Sequence, residues 1–368
     1  MTETPTLAAA FTRAADGRFT MAGSPRLAAL ARAVAADPGL GAPVAALGET
    51  LPGHPPLLFA AVQCVLRTVR HPLADYYPTL GGHREPGPGM VEAFADLVAT
   101  HGGLLAELCA ARPASRTNDP GIAAITRPAL GRAAAAAGGR PVALLELGAA
   151  AGLALLPDLY RYSYRGAGSE VVAGAGAVTL ECELRGPVPD HLDTDLDVAL
   201  RIGLERDPVL HDDPDAVRWL LSGVYPERTA ELARLTAGLA GLDTHPVDWR
   251  VGDFLDELPK ALADVPADVL PVVYGSSVLC CLDRRAEFPG LLAAAGRDLV
   301  WISKEQPENA LALVSDEPNP FSTEHCSVLT SVTYTAGEVS EVVALAEVDP
   351  WVRWLDWRPT VMRPRSAG

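Results

Sequence analysis

The sequence is poor in basic charge. Thirty Lys and Arg residues stand against 46 Asp and Glu, for a formal net charge of −16, and only Lys260 and Lys304 among the cations are lysines. Nucleic-acid binding rests on clustered Lys and Arg that neutralise phosphates, and no dense basic stripe is present, so no nucleic-acid partner is expected. Long apolar runs are missing too. No window approaches the roughly 18 uninterrupted apolar residues of a membrane span, and MTETPTLAAAFTRAADGRF lacks the basic head and apolar core of a signal peptide. The expectation is a cytoplasmic protein with no membrane partner. Six cysteines occur without a CxxC pair, which predicts neither a metal site nor a disulfide framework but reduced, mostly buried thiols. The one close pair, Cys280 and Cys281, falls at what reads as an apolar strand end. Also absent are an internal repeat and a GxSxG elbow, so hydrolysis by a serine nucleophile is not indicated.

What is present is apolar substance: 49% of 368 residues are hydrophobic, enough for two domains or one large elaborated one. From Thr6 to Ala137 apolar residues recur at spacings of three and four in SPRLAALARAVAAD, PPLLFAAVQCVLRTV, MVEAFADLVATHGGLLAELCAAR and GIAAITRPALGRAAAAAG. That pattern predicts an all-helical N-terminal domain over residues 1–138. Proline and glycine clusters separate the helices, the longest being RHPLADYYPTLGGHREPGPG (70–89), an ordered loop or a flexible lid.

Beyond residue 139 the pattern alternates. PVALLEL, DVALRIGLE, VDWRVGD, DVLPVVYGSSVL and RDLVWISKE read as strands, and 152–160, 215–240, 254–263 and 284–295 as helices. Such alternation predicts an α/β domain over 139–368 with a mostly parallel, Rossmann-like sheet. An inserted β arm is expected near 161–197, and an antiparallel hairpin around TAGE at the sheet edge, with WVRWLDW packing back on the body.

The stretch LLELGAAAGLALL (144–156) carries the functional question. In a doubly wound sheet the first strand-to-helix turn needs small residues where backbone approaches a ligand, and Glu146, Gly148, Ala150 and Gly152 supply that pattern. Glu205 ends the next strand, where ribose hydroxyls need an acceptor, and Gly252 and Asp253 end the third. An acid at the turn repels a diphosphate, so a dinucleotide fits poorly, whereas a cationic sulfonium gains from an acidic site. Lys304 and Glu305 end the fifth strand, on the ligand rim or as a surface pair.

From about Pro141 onward this succession resembles the class I S-adenosylmethionine (SAM)-dependent methyltransferases. The resemblance implies that Glu146, Gly148 and Gly152 border the methionine part of SAM, with Ala150 in the same cofactor-binding turn, that Glu205 accepts both ribose hydroxyls, and that Asp253 with Phe254 brackets the adenine. With HPLADYYPTLGG, RTNDPG and CELRGP added, nearly the whole chain looks like a family of uncharacterised, methyltransferase-like bacterial proteins common in actinobacteria. Two positions depart from that pattern: Ala154 stands where Asn is usual, and Gly275 where His is usual.

For the acceptor side, the resemblance places Tyr274, Gly275, Ser276 and Ser277 beyond the fourth strand, the serines as donors to substrate or as backbone caps. His71 is the candidate base, with Tyr76 and Tyr77 on the same loop, or these three merely fasten it. Asn118, with Arg116, Thr117 and Asp119, is a substrate ligand or a turn cap. The catalytic candidates are therefore His71, Asn118, Tyr274 and Ser276. The expected activity is a SAM-dependent transferase acting on a small-molecule substrate, most simply by methyl transfer. Aminocarboxypropyl transfer or ring closure that releases methylthioadenosine, and a non-catalytic SAM-binding scaffold, are the alternatives.

Overall fold

A computed structural model describes residues 6–51, 54–112, 118–166, 168–321 and 326–365. The chain divides into two compact units, one comprising Met1–Thr117 with Val209–Thr236, the other Asn118–Pro208 with Ala237–Gly368. This differs from a single cut at 138/139 in two places. The helix Ile122–Ala136 belongs with the sheet, and residues 209–236 belong with the helices.

In the helical unit, Pro25–Ala36, Pro38–Ala45, Pro55–Leu66, Pro88–Ala111 and Pro214–Ser222 each begin with proline. Proline's fixed φ suits the first helical position, and its missing N–H would be unpaired there in any case. Pro55–Leu66 is apolar on nearly every side and correspondingly buried. Its one amide, Gln63, is fully used: Nε2 donates to the carbonyls of Leu221, Ser222 and Val224, and Oε1 accepts from Thr79. Among the described residues one helix, Pro88–Ala111, is long and apolar enough to cross a membrane by length and composition. It breaks at His101 and gives Met90, Phe94, Leu97, Val98, Leu105 and Cys109 to the helical core. The proline-rich loop is ordered as two short 3-10 turns, Pro72–Tyr76 and Pro78–Leu80.

The other unit is built on an 11-stranded mixed sheet. In chain order its strands are β1 (Val142–Leu147), β2 (Tyr160–Gly166), β3 (Ser169–Ala173), β4 (Val178–Arg185), β5 (Val198–Glu205), β6 (Asp248–Val251), β7 (Leu270–Ser276), β8 (Leu299–Glu305), β9 (Ser327–Thr335), β10 (Glu338–Val348) and β11 (Trp354–Met362). The spatial order is β3-β2-β4-β11-β10-β9-β8-β7-β1-β5-β6. Five neighbours, β6-β5-β1-β7-β8, run parallel. β1 is buried along its whole length, which is why it reads as a continuous apolar run rather than an alternation.

Four expectations need correction. The TAGE hairpin, β9–β10, lies inside the sheet, because β11 and the arm β2–β4 continue the sheet beyond it. The second half of WVRWLDW, Trp354–Trp357, therefore opens β11, after a turn at residues 351–353, instead of packing back as a separate segment. The helix expected at 152–160 does not form either. A single 3-10 turn, Leu153–Leu155, is followed by Pro157, and β2 begins at Tyr160. The 215–240 helix is two, Pro214–Ser222 and Thr229–Leu239, parted around Pro226.

Candidate site at the strand ends

Among the five parallel strands β1 is followed by β5 and β6 on one side and then by β7 and β8 on the other, the arm β2–β4 having been laid down at the far edge of the sheet in between, so the order of the parallel strands reverses between β1 and β7. Ligands of open parallel sheets bind outside the carboxyl ends of the strands at such a reversal. Glu146 and the turn after β1 stand at that place, with Ser276 and Ser277 at the end of β7.

The turn is unusual backbone. Gly148 (φ +65°), Ala150 (φ +50°) and Gly152 (φ +78°) all occupy the left-handed region, which disfavours residues with a Cβ. Ala150 is held there by its N–H, which donates to Glu205 Oε2 at 3.0 Å. Asn118 Oδ1 accepts from Ala151 N at 3.3 Å and Leu153 N at 3.2 Å. Gly148 N donates to Leu204 O and Gly152 N to Ala149 O. These donors are thus committed to protein acceptors, and no α-helix follows. Of the two features that bind phosphate at a strand-to-helix turn, the helix N-terminus is missing and these five N–H groups are already used. A Cβ on Gly148 would come within 2.8 Å of Val278 Cγ1, and one on Gly275 within 2.9 Å of Val278 Cγ2. The close approach that both glycines allow is to the Val278 side chain.

Below the turn, three tyrosines fix the carbonyls of the next segment. Tyr160 donates to Leu153 O at 2.7 Å, Tyr274 to Ala154 O at 2.8 Å, and Tyr162 to Pro157 O. Arg201 pairs with Asp158 through both nitrogens at 2.8 and 2.6 Å. Tyr274 is thus a buried positioning residue whose hydroxyl is spent on backbone. Ser276 is half-buried at the rim, and Ser277 is exposed with φ +56°.

The buried carboxyls divide into two kinds. Glu205 Oε1 accepts from Arg206 N at 2.9 Å and Asp207 N at 3.3 Å, while Oε2 takes Ala150 N. Glu305 Oε1 likewise accepts from Val278 N at 2.6 Å and Leu279 N at 2.8 Å. Glu146 is only 7% exposed, and its Oε2 has no hydrogen-bond partner. Burial, and then the neighbouring Glu205 carboxylate, push the Glu146 carboxyl well above its ordinary range. The shift favours its protonated form, and a donor or cation beside the free oxygen would oppose it.

Residues 8–357 match the model of a family described as an uncharacterized protein conserved in bacteria (DUF2332). The chain belongs to that family. No curated protein and no solved structure matches the chain.

Elsewhere on this rim of the DUF2332 chain, Asp253 caps the helix Phe254–Asp264 by accepting from Leu255 N at 3.0 Å, and it pairs with Arg206. Burial pulls the Asp253 carboxyl upward, but the Arg206 guanidinium and the Leu255 N–H outweigh it and hold the group below its ordinary range. Phe254 is half-buried against the core of the sheet unit. Lys304 and Glu305 are not a surface pair, since each is 2% exposed. Lys304 Nζ donates to Pro350 O at 3.1 Å, and burial lowers it to about 8. His71 lies in the helical unit, where Nδ1 accepts from Leu73 N and Nε2 meets Asp96 Oδ2 at 3.0 Å. In the same unit the Tyr77 hydroxyl is buried without a partner. Asp119 Oδ1 accepts from Gly121 N at 2.8 Å, while Arg116 and Thr117 lie outside the described residues. Cys64, Cys109 and Cys182 are buried as expected, Cys326 is half-buried, and Cys280 and Cys281 are exposed. The last two differ from expectation because β7 stops at Ser276, before them. Among the described residues no group of three or more His, Cys, Asp or Glu side chains could hold a metal ion.

Sequence reasoning missed Tyr160, Tyr162, Asp158 and Arg201. The signal was present in YRYSYRG, whose tyrosines recur at every second residue, the period of one strand face.

Proposed function

We propose that this DUF2332 chain is a SAM-dependent small-molecule transferase, with methyl transfer as its simplest reaction. The observation that carries the reading is Glu146: a buried carboxyl with an unpaired oxygen, at the strand-order reversal, beside a turn of small residues. A buried polar group without a partner costs roughly 1–3 kcal/mol, and a ligand bearing an ammonium or sulfonium charge would offset that cost. The spent N–H groups of the turn speak against an anionic diphosphate and are compatible with a cation. When bound, SAM supplies an electrophilic carbon on sulfur with a thioether leaving group.

The residues here would do the following. Glu146 holds the cationic amino-acid end and gives up its proton as it does so. Asp253 and Phe254 flank the adenine side. Glu205 already serves three backbone N–H groups, so a ribose would share its carboxylate with Ala150 N rather than own it. Ser276, on the rim, orients the acceptor. Asn118 and Tyr274 act at one remove, by fixing the backbone from Ala151 to Ala154. Both ring nitrogens of His71 are engaged within its own unit, so the reading does not draw on it.

The test is calorimetry and thermal shift on ligand-free protein with SAM and with S-adenosylhomocysteine. Micromolar binding and a raised melting temperature support the reading, because a ligand that binds only the folded state stabilises it by mass action. S-adenosylhomocysteine as product identifies methyl transfer, and methylthioadenosine identifies the other displacements. A second reading has its own observation: Val278 already fills the space beside Gly148 and Gly275, as a purely structural brace would. SAM binding without any turnover selects a non-catalytic SAM-binding scaffold, and absence of heat and of melting shift at millimolar SAM overturns the SAM reading and leaves the brace alone.

A further inference from the structure

We propose that Cys280 and Cys281 form a vicinal dithiol that a low-molecular-weight disulfide converts reversibly into a disulfide within the turn. This modification site is independent of what the strand ends bind. Free cysteine is among the most buried residue types, and Cys64, Cys109 and Cys182 obey that rule. Cys280 and Cys281 are instead both exposed, with their sulfurs 3.7 Å apart, on the 3-10 turn Leu279–Cys281.

The two thiols are not equivalent. Burial, and then the Glu305 carboxylate, push Cys280 up to about 12. The raised Cys280 thiol is the poorer source of thiolate, so it serves as the resolving group and its neighbour opens the exchange. The Cys281 thiolate attacks one sulfur of the small disulfide, forming a mixed disulfide and expelling one thiolate. The Cys280 sulfur then loses its proton and attacks Cys281 Sγ, expelling the second thiolate. Two electrons pass from the protein to the reagent, and two small thiols leave. Adjacent Cα atoms are about 3.8 Å apart across a trans peptide, against the usual ~4.4–6.8 Å of disulfides. The bond is consequently strained and easily reduced, as expected of a regulatory rather than a structural disulfide. Its strain falls on the turn that begins beside Val278, the residue packed against Gly148 and Gly275.

The test incubates the reduced full chain with oxidised glutathione, alkylates free thiols and maps the tryptic peptide 261–284, which contains both cysteines. The expected result is loss of two hydrogens and of alkylation in that peptide, reversed by dithiothreitol. Cys280→Ser should stop at a glutathione adduct on Cys281, and Cys281→Ser should not close. Wild-type protein that remains doubly alkylated, that keeps a stable Cys281 adduct, or that forms its disulfide through Cys326 would overturn the proposal. A thermal melt of each variant before oxidation separates these outcomes from misfolding. None of the readouts depends on SAM binding.

Discussion

Two strand ends of the parallel sheet carry buried glutamates that look alike in sequence and differ in what they touch. At the end of β8, Glu305 is bound by the N–H groups of Val278 and Leu279. At the end of β1, Glu146 leaves one oxygen without a partner. The first arrangement holds a turn in shape; burial still raises the Glu305 carboxyl, but the N–H groups of Leu279 and Val278 counter part of that cost. The second leaves a polar atom whose burial the protein alone does not offset, and such atoms call for an explanation. Glu205, between them in character, holds the glycine turn from outside it. The contrast separates carboxyls that build the site from the one available to use it.

The largest expected effect tests the building side. Glu305→Ala should cost about 2–4 kcal/mol in denaturant unfolding, because it strips two buried N–H groups of a charged acceptor. Glu305→Gln, which keeps an oxygen at that place, should recover most of it. If Ala and Gln were equally mild, the two strand ends would not differ in the way described. Asn118→Ala should follow at about 1–3 kcal/mol, since a single oxygen serves Ala151 N and Leu153 N. Its hydrogen exchange should rise at those two amides first.

Glu146→Gln should act in the opposite direction and stabilise the protein at pH 7. The folded carboxyl is raised above its unfolded value near 4.3, so the folded state binds more protons than the unfolded one across that window. Wild-type stability therefore falls as pH rises above about 4, while the glutamine variant lacks this term. The gap between them should widen from pH 4 to pH 7, and a constant gap would show that Glu146 is ordinary. The smallest effect is at Asp253→Ala, about 1 kcal/mol, as for loss of a helix N-cap.

Much of the parallel sheet was legible because buried parallel strands are short apolar runs bounded by turn residues. VALLEL, VALRIGLE and LVWISKE show this within a residue or two of their observed ends. The missing helix after β1 was not legible. LALL favours a helix by propensity, but Pro157 and the tyrosine hydroxyls from β2 and β7 hold that segment in another shape. The place of the TAGE hairpin depends on β11 and the arm pairing far along the chain, which no local pattern encodes. At the site itself, the sequence marked Glu146 in the glycine turn, Glu205 at the end of the next strand, and Asn118 as a substrate ligand or a turn cap. It could not show that two of them face backbone N–H groups across 55 and 33 residues of sequence while the third has an oxygen to spare.

The most direct test is titration calorimetry of SAM into ligand-free wild type and Glu146→Gln, measured side by side near pH 7 in two buffers of different ionisation enthalpy. Wild type should bind in the micromolar range and release protons as Glu146 ionises. The glutamine variant should bind more than about tenfold more weakly, the usual loss for a hydrogen bond to a charged group, and release none. Equal affinity in the two proteins, or no binding by either, would contradict the assignment of Glu146 as the residue that meets the ligand.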